Sequence, residues 1–249
     1  MNDKTETPRG LAVLGAAGGI GRDLCEAASA RGWQVAALDL PASLERHAPP
    51  HPSRAVDATD AAALDAAAAR ARDAVGPLGG FVNLAGFMSP HAPLAEAPEA
   101  IFKEVIEGNL TGTFLAARAF APRLADGGAM VFAGSGLGHM ARPGFGPYGA
   151  AKAAIAQMAK QMALEWAPRL RVNCVAPSAF DTAFLRGGTG RAEEDAPIGL
   201  DFDAYAQAVP MKRIAQARDV TGPILFLLSC DAAYVTGQTL HVNGGTFMP

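Results

Sequence analysis

Residues 11–21 read LAVLGAAGGIG: four apolar residues, Leu11 to Leu14, then Gly15, Ala16, Ala17, Gly18, Gly19, Ile20 and Gly21. A short apolar run without polar alternation suits a strand buried on both faces. The glycines that follow suit a chain turning sharply into a helix that begins near Ile20. They leave no side chain between the helix N-terminus and whatever lies above it. Free N–H groups and the helix dipole make such a turn a seat for a pyrophosphate. A tight turn with no ligand has the same composition, so residues further along must decide. The next apolar run, Val35–Leu38, ends at Asp39 and Leu40, and Asp39 lies 18 residues beyond Gly21. That is close to the ~20-residue spacing at which a carboxylate accepts from a dinucleotide's ribose. A carboxylate there repels a 2′-phosphate, and no Lys or Arg lies within the glycine turn or directly after Asp39. NAD(H) is therefore expected in preference to NADP(H).

Working outward, further strands are expected at Arg54–Val56, Gly80–Leu84, Met130–Ala133, Arg171–Ala176 and Thr239–Val242. Helices are expected at Ile20–Arg31, Asp60–Val75, Pro98–Leu124, Tyr148–Ala167 and Asp219–Ser229. Strands alternating with helices predict one α/β domain over residues 1–249: a Rossmann-type, doubly wound, seven-stranded, mostly parallel sheet with helices on both faces. Residues 183–210 interrupt the rhythm with Gly187, Gly188, Gly190, the charged residues Arg191, Glu193, Glu194 and Asp195, and Pro197. A connection that long reads as a lid over a substrate site.

Composition narrows the function classes. The 249 residues carry a formal net charge of -3, with a pI near 5.9, which argues for no nucleic-acid or anionic-membrane partner. No apolar run approaches the ~18 residues of a membrane span. Cys25, Cys174 and Cys230 are far apart, with no C-x-x-C pair. They are expected to be reduced, mostly buried thiols in a cytoplasmic protein without a metal site.

Tyr148 and Lys152 stand four residues apart in a strongly helical segment, so both leave one helix face. A tyrosine titrates near ~10, and shifting it by about 3 units takes roughly 4 kcal/mol of preferential phenolate stabilisation. A neighbouring ammonium supplies part of this. The pair alone occurs by chance in many helices.

The ordered set of motifs around it resembles the short-chain dehydrogenase/reductase family in its one-domain branch. Leu14-Gly15 through Gly21 is similar to the family's T-G-x-x-x-G-x-G, and Asn83-Leu84-Ala85-Gly86 to its N-N-A-G. Asn109 matches its asparagine, and Ser135 its serine, 13 residues before Tyr148. Tyr148 and Lys152 match Y-x-x-x-K. Arg171 through Thr182 is similar to R-V-N-x-V-x-P-G-x-x-x-T, and Gly237 through Gly245 to G-Q-x-L-x-V-D-G-G.

The resemblance implies hydride transfer between a nicotinamide and a secondary alcohol or ketone. Tyr148 is then the acid/base, Ser135 holds the substrate oxygen, and Lys152 binds the nicotinamide ribose. Asn109 positions a proton-relaying water. It also implies dinucleotide contacts from Asp57, Ala58, Asn83, Ala85, Gly86, Pro177, Ser178, Phe180 and Thr182. Substrate walls are expected at Met88-Ser89, Leu137, His139, Phe145 and Ala183–Leu185, including Phe184. These are mainly apolar, with His139 a possible second hydrogen-bond donor. Arg142, Arg186 and Arg191 read as surface residues, and alcohol oxidation is the expected direction. A homotetramer, or a homodimer, follows from the family, with Ala150, Ala151, Ala153 and Ala154 allowing close helix approach. Four positions depart from the pattern: Leu14, Leu84, Ser178 and Asn243. An apolar contact between Leu14 and Leu84 is the expected substitute for lost polar ties. The alternatives are a 3-oxoacyl-type carbonyl reductase and a non-catalytic NAD(H)-binding sensor.

Overall fold

All five residues of the first strand, β1 (Gly10–Leu14), are buried, which explains its unbroken apolar run. The computed structural model describes residues 8–88 and 90–249. Six further strands join β1: β2 (Gln34–Asp39), β3 (Ser53–Ala55), β4 (Leu78–Asn83), β5 (Leu124–Ala133), β6 (Leu170–Pro177) and β7 (Thr239–Val242). They form one sheet in the order β3-β2-β1-β4-β5-β6-β7, and every neighbouring pair is parallel.

Alternate residues of β1 feed two cores. Ala12 and Leu14 face α3 (Ala61–Val75), α5 (Gly112–Phe120) and α6 (Gly146–Trp166). Leu11 and Val13 face α1 (Gly19–Ala30) and α8 (Ala217–Leu228). Phe81 of β4 stacks on Phe120 of α5 with ring centroids 4.1 Å apart. Local sequence sets the helix starts: Asp60 caps α3 by accepting from the Ala63 N–H at 2.9 Å, and Gln216 with Asp219 forms a capping box at α8. The chain runs from β1 outward to β3, then returns to β4 on the other side of β1. Strand order thus reverses beside β1, and a crevice opens there at the C-terminal strand ends.

Several expectations change. The helix expected over Pro98–Leu124 is three pieces: α4 (Glu99–Val105), a π-helical turn (Ile106–Thr111) and α5. In the wide turn, Asn109 donates from Nδ2 to the Val105 carbonyl, and Thr113 donates from Oγ1 to the Asn109 carbonyl. Side-chain bonds of this kind compete with the regular ladder. A 3₁₀ turn follows, and β5 begins at Leu124, six residues earlier than expected, with a register shift against β4. Two short helices were not anticipated, α2 (Pro41–Arg46) and α7 (Phe202–Ala208), the latter inside the presumed lid. Cys25 and Cys174 are buried, which raises both thiols to about 12, whereas Cys230 is exposed. The Leu14–Leu84 contact does not form. The Leu84 N–H bonds the Leu14 carbonyl at 2.8 Å, but the two side chains join the cores on opposite sheet faces. Among the described residues, no helix is long and apolar enough to cross a membrane.

Candidate active site

The turn between β1 and α1 begins with Gly15 at φ +85°, a left-handed conformation that glycine adopts without strain. A Cβ on Gly21 would lie 2.0 Å from the Gly15 carbonyl oxygen, so glycine there allows the helix to sit against the turn. A Cβ on Gly19 would lie 2.7 Å from Cγ2 of Thr182, closing the gap between the turn and the segment after β6. No side chain caps α1 and its first turn carries no acid. Its free N–H groups are therefore available to an anion. Asp39 faces this turn, accepting from the Ala17 and Leu40 N–H groups at 2.8 Å each. Burial raises its carboxyl above the ordinary value, and these backbone bonds act against that rise.

The turn and Asp39 line a cavity of about 1270 Å³ that continues to Ser135, Tyr148 and Lys152. That exceeds the ~300–1,000 Å³ of an ordinary small-molecule site, as a dinucleotide and a substrate together require. Gly18, Ile20, Leu40, Asp57, Ala58, Ala85, Gly86, Pro177, Ser178, Phe180 and Thr182 also line it. The crevice thus has the room and the free helix N-terminus that a dinucleotide would need, and all of the expected contact residues but Asn83 are on its walls.

Tyr148 is 4% exposed and Lys152 3%. The Lys152 ammonium donates to the Ala133 carbonyl at 2.9 Å and stands 5.5 Å from the centre of the Tyr148 ring. Burial raises the Tyr148 phenol above its ordinary value, and hydrogen bonding with Ser135 opposes the rise. Burial also brings the Lys152 ammonium down to about 8, which leaves it charged at neutral pH. With protein groups alone, then, Tyr148 is a proton donor.

Three expected residues lie elsewhere. Asn83 is buried behind the cavity wall, accepting from the Ala85 N–H and donating to Thr113 Oγ1. It shapes the loop without facing the crevice. Asn109 is fully buried. Its Nδ2 donates to the Phe87 and Val105 carbonyls and its Oδ1 accepts from the Phe87 N–H. These bonds fix the backbone of Phe87 and leave the side chain committed to protein partners rather than to a cavity water. His139 is exposed and outside the cavity; its ring stands 4.7 Å from His241 and 6.4 Å from Phe247. Leu137, Phe145, Phe184, Met88 and Leu185 do line the cavity. Ser89 lies outside the described residues.

The departures from the motif have local reasons. Asn243 accepts from the Gly245 N–H and donates to the Phe247 carbonyl, a donation an ionised aspartate has no proton to make. Ser178 takes part through its backbone, donating to the Val242 carbonyl at 3.2 Å. The sequence did not reveal Ala133, whose contribution is a carbonyl, or Phe87, which packs with Tyr148 and Ala151. Thr113 carried a weak signal, one helical turn beyond Asn109.

Comparison with known proteins places this architecture. Residues 15–246 match the family model described as enoyl-(acyl carrier protein) reductase. Galactitol 2-dehydrogenase (L-tagatose-forming) of Cereibacter sphaeroides is 37% identical over 94% of this chain and 93% of its own length. A 2-(S)-hydroxypropyl-CoM dehydrogenase of Xanthobacter autotrophicus is 33% identical over 94% and 95%, respectively. The crystal structure of a short-chain dehydrogenase/reductase described as glucose/ribitol dehydrogenase, from Brucella melitensis, superposes with a TM-score of 0.87 at 28% identity, covering 98% of both chains. The chain belongs to the short-chain dehydrogenase/reductase family. It is an oxidoreductase of that family, whose dehydrogenases use nicotinamide cofactors on small-molecule substrates.

Proposed function

We propose that this protein is an NAD(H)-dependent dehydrogenase that interconverts a secondary alcohol and its ketone, with Tyr148 as general acid/base. The observation that carries the reading is the buried Tyr148–Lys152 pair, beside Ser135, in one cavity with the glycine turn and Asp39. In alcohol oxidation Tyr148, as the phenolate, takes the substrate hydroxyl proton on Oη while Ser135 Oγ holds the same oxygen. In ketone reduction Tyr148 returns that proton. The nicotinamide, when bound, supplies the hydride acceptor or donor and, when oxidised, a positive charge that lowers the phenol's pKa. Lys152, anchored by Ala133, adds its own charge and would hold a ribose hydroxyl of the nucleotide. Asn109 acts as a positioning residue through Phe87.

Asp39 supports NAD(H) over NADP(H): its backbone bonds to Ala17 and Leu40 hold the carboxyl at the crevice wall, where it would accept from ribose hydroxyls and repel a 2′-phosphate. The apolar walls at Leu137, Phe145 and Phe184 support a hydrophobic secondary alcohol, and galactitol, after the relative's name, is the polar comparator. Exposed Phe102, Phe114 and Leu164 on α4, α5 and α6 support assembly as a homotetramer or homodimer.

The test is spectroscopic. With NAD and a panel of secondary alcohols, NADH absorbance should rise. Tyr148→Phe should lower turnover by roughly 10³-fold while NADH affinity changes less than about threefold. Retained turnover in that variant would refute the assignment.

A further inference from the structure

Six residues before Tyr148 the chain carries Arg142, on the segment that joins the 3₁₀ turn after Ser135 to α6. This segment walls the cavity. The Phe145 N–H donates to the Arg142 carbonyl at 3.4 Å, and the His91 ring stands edge-on to Phe145 with centroids 5.2 Å apart. Gly144, at φ +87°, is packed so closely that a Cβ there would lie 2.1 Å from His91 Nε2. Arg142, Phe145 and His91 line the cavity together with Leu137 and Tyr148. A mainly apolar wall therefore carries one guanidinium, at an exposed position on its rim.

Lys152, Arg186 and Arg191 also line the cavity, and the protein already occupies each of them. Lys152 donates to the Ala133 carbonyl. Arg186 donates to the Asp181 carboxylate and the Ala196 carbonyl at 2.8 Å each. Arg191 lies 3.9 Å above the Phe87 ring centre and donates to Glu104 at 2.6 Å. Among the described residues, the Arg142 side chain makes neither a hydrogen bond nor an ion pair. The wall carboxylates without a cation beside them, Asp39, Asp57 and Glu107, stand towards the dinucleotide's end. Asp39 ends β2 and Asp57 follows β3. The Glu107 carbonyl accepts from the Gly112 N–H, and a Cβ on Gly112 would lie 3.0 Å from the Ala58 Cβ. Arg142 thus offers five N–H groups with no protein acceptor, in a planar fork that matches a carboxylate.

We propose that the substrate is a secondary alcohol, or its ketone, with a carboxylate at the far end of an apolar spacer, and that Arg142 binds that carboxylate. This rests on the dehydrogenase reading given above and narrows its substrate class. Leu137, Phe145 and Phe184 would pack on the spacer. The carboxylate is unchanged in the reaction: the carbinol carbon loses its hydride to NAD, and the hydroxyl proton goes to Tyr148. A single uncommitted guanidinium carries one charge, which suits a carboxylate better than a phosphate dianion.

Two measurements test this, with thermal unfolding to check that each variant is folded. First, straight-chain carboxylates of increasing length and their primary amides are titrated by calorimetry into the protein saturated with NADH. The best-fitting carboxylate should bind about tenfold tighter than its amide, the worth of a charged hydrogen bond on a partly solvated rim. Arg142→Gln should remove that advantage, and Arg142→Lys should restore part of it. Arg118→Gln, which removes an exposed cation over Phe114 outside the cavity, should leave the affinity unchanged. Second, kcat/KM is measured with NAD on acids bearing a hydroxyl on the penultimate carbon, on their methyl esters and on phosphate esters of the matching diols. The acid should be preferred over its ester about tenfold, and Arg142→Gln should abolish the preference. Equal binding of carboxylate and amide, or an acid preference that survives Arg142→Gln, would overturn the proposal. A phosphate ester preferred over the acid would overturn the choice of carboxylate. Oxidation of neutral alcohols without any acid preference would refute the anion site and leave the dehydrogenase reading standing. Arg142-dependent carboxylate binding with no alcohol turned over would refute the dehydrogenase reading instead.

Discussion

Burial moves Tyr148 and Lys152 in opposite directions, and in both cases it favours the neutral form. For Lys152 the consequence is a measurable pH dependence of stability. Below pH 8 both folded and unfolded chains carry the ammonium, and burying it opposes folding. From about 8, its folded value, up to the ordinary 10.5, the folded chain has released a proton that the unfolded chain keeps. Stability from this group therefore rises with pH across that window. The buried thiols, raised from 9.0 to about 12, act in the opposite sense above pH 9, so a difference measurement is needed. Urea midpoints of wild type and Lys152→Met should diverge in favour of wild type by about 1 kcal/mol per pH unit between roughly pH 8 and 10; a flat difference would contradict a buried lysine. At the other end of the crevice, Asp39→Asn removes the charge and keeps the shape. It should reduce the NADH-over-NADPH affinity ratio about ten- to hundredfold, the worth of a charged hydrogen bond, as titrated by fluorescence quenching. An unchanged ratio would remove Asp39 from cofactor selection.

Among the elements, the turn from β1 to α1 is the most sensitive. Its motif was legible because glycine is the one residue that meets its demands: a left-handed φ at Gly15 and no Cβ at Gly21. Gly21→Ala would place a Cβ 2.0 Å from a backbone carbonyl oxygen, with no flexible side chain to yield. The expected loss is about 3 kcal/mol or more of unfolding free energy, accompanied by loss of NADH binding; a variant of wild-type stability would mean that α1 moves freely against the turn. The seven strands were legible for a similar reason, since continuous apolar runs bounded by turn residues leave few alternatives. Helix interruptions were not. The segment from Pro98 to Leu124 is apolar and periodic throughout, and the π-helical turn within it comes from Asn109 and Thr113 reaching backbone carbonyls, which periodicity does not register. α2 was missed because six residues beginning with a proline carry too little pattern.

For the molecule as a whole, the sheet is clamped between two cores, and the larger one joins β4 to α5 through Phe81 on Phe120. Phe120→Ala should cost about 3–5 kcal/mol of stability, read from urea denaturation. It should also weaken activity, because α5 follows directly from the turn that holds Asn109 and hence Phe87. A small loss, below about 1 kcal/mol, would show that the core repacks around the gap. The same connectivity explains why candidate residues from positions 15 to 182 meet in one crevice: parallel strands deliver every strand–helix loop to the same sheet edge.

The sequence alone determined the α/β class, the glycine turn with Asp39 and the Tyr148–Lys152 spacing, because each is fixed by backbone sterics or by neighbours within one turn of chain. Tertiary structure decided what depends on distant chain segments. It sent Leu14 and Leu84 to opposite faces of the sheet, and it turned Asn83 and Asn109 inward to hold backbone while leaving His139 outside the cavity. It also brought residues 187–194 to Ser43 and Glu104. In each case the partner is far away in sequence, and strand order, which no local pattern encodes, brings the two together.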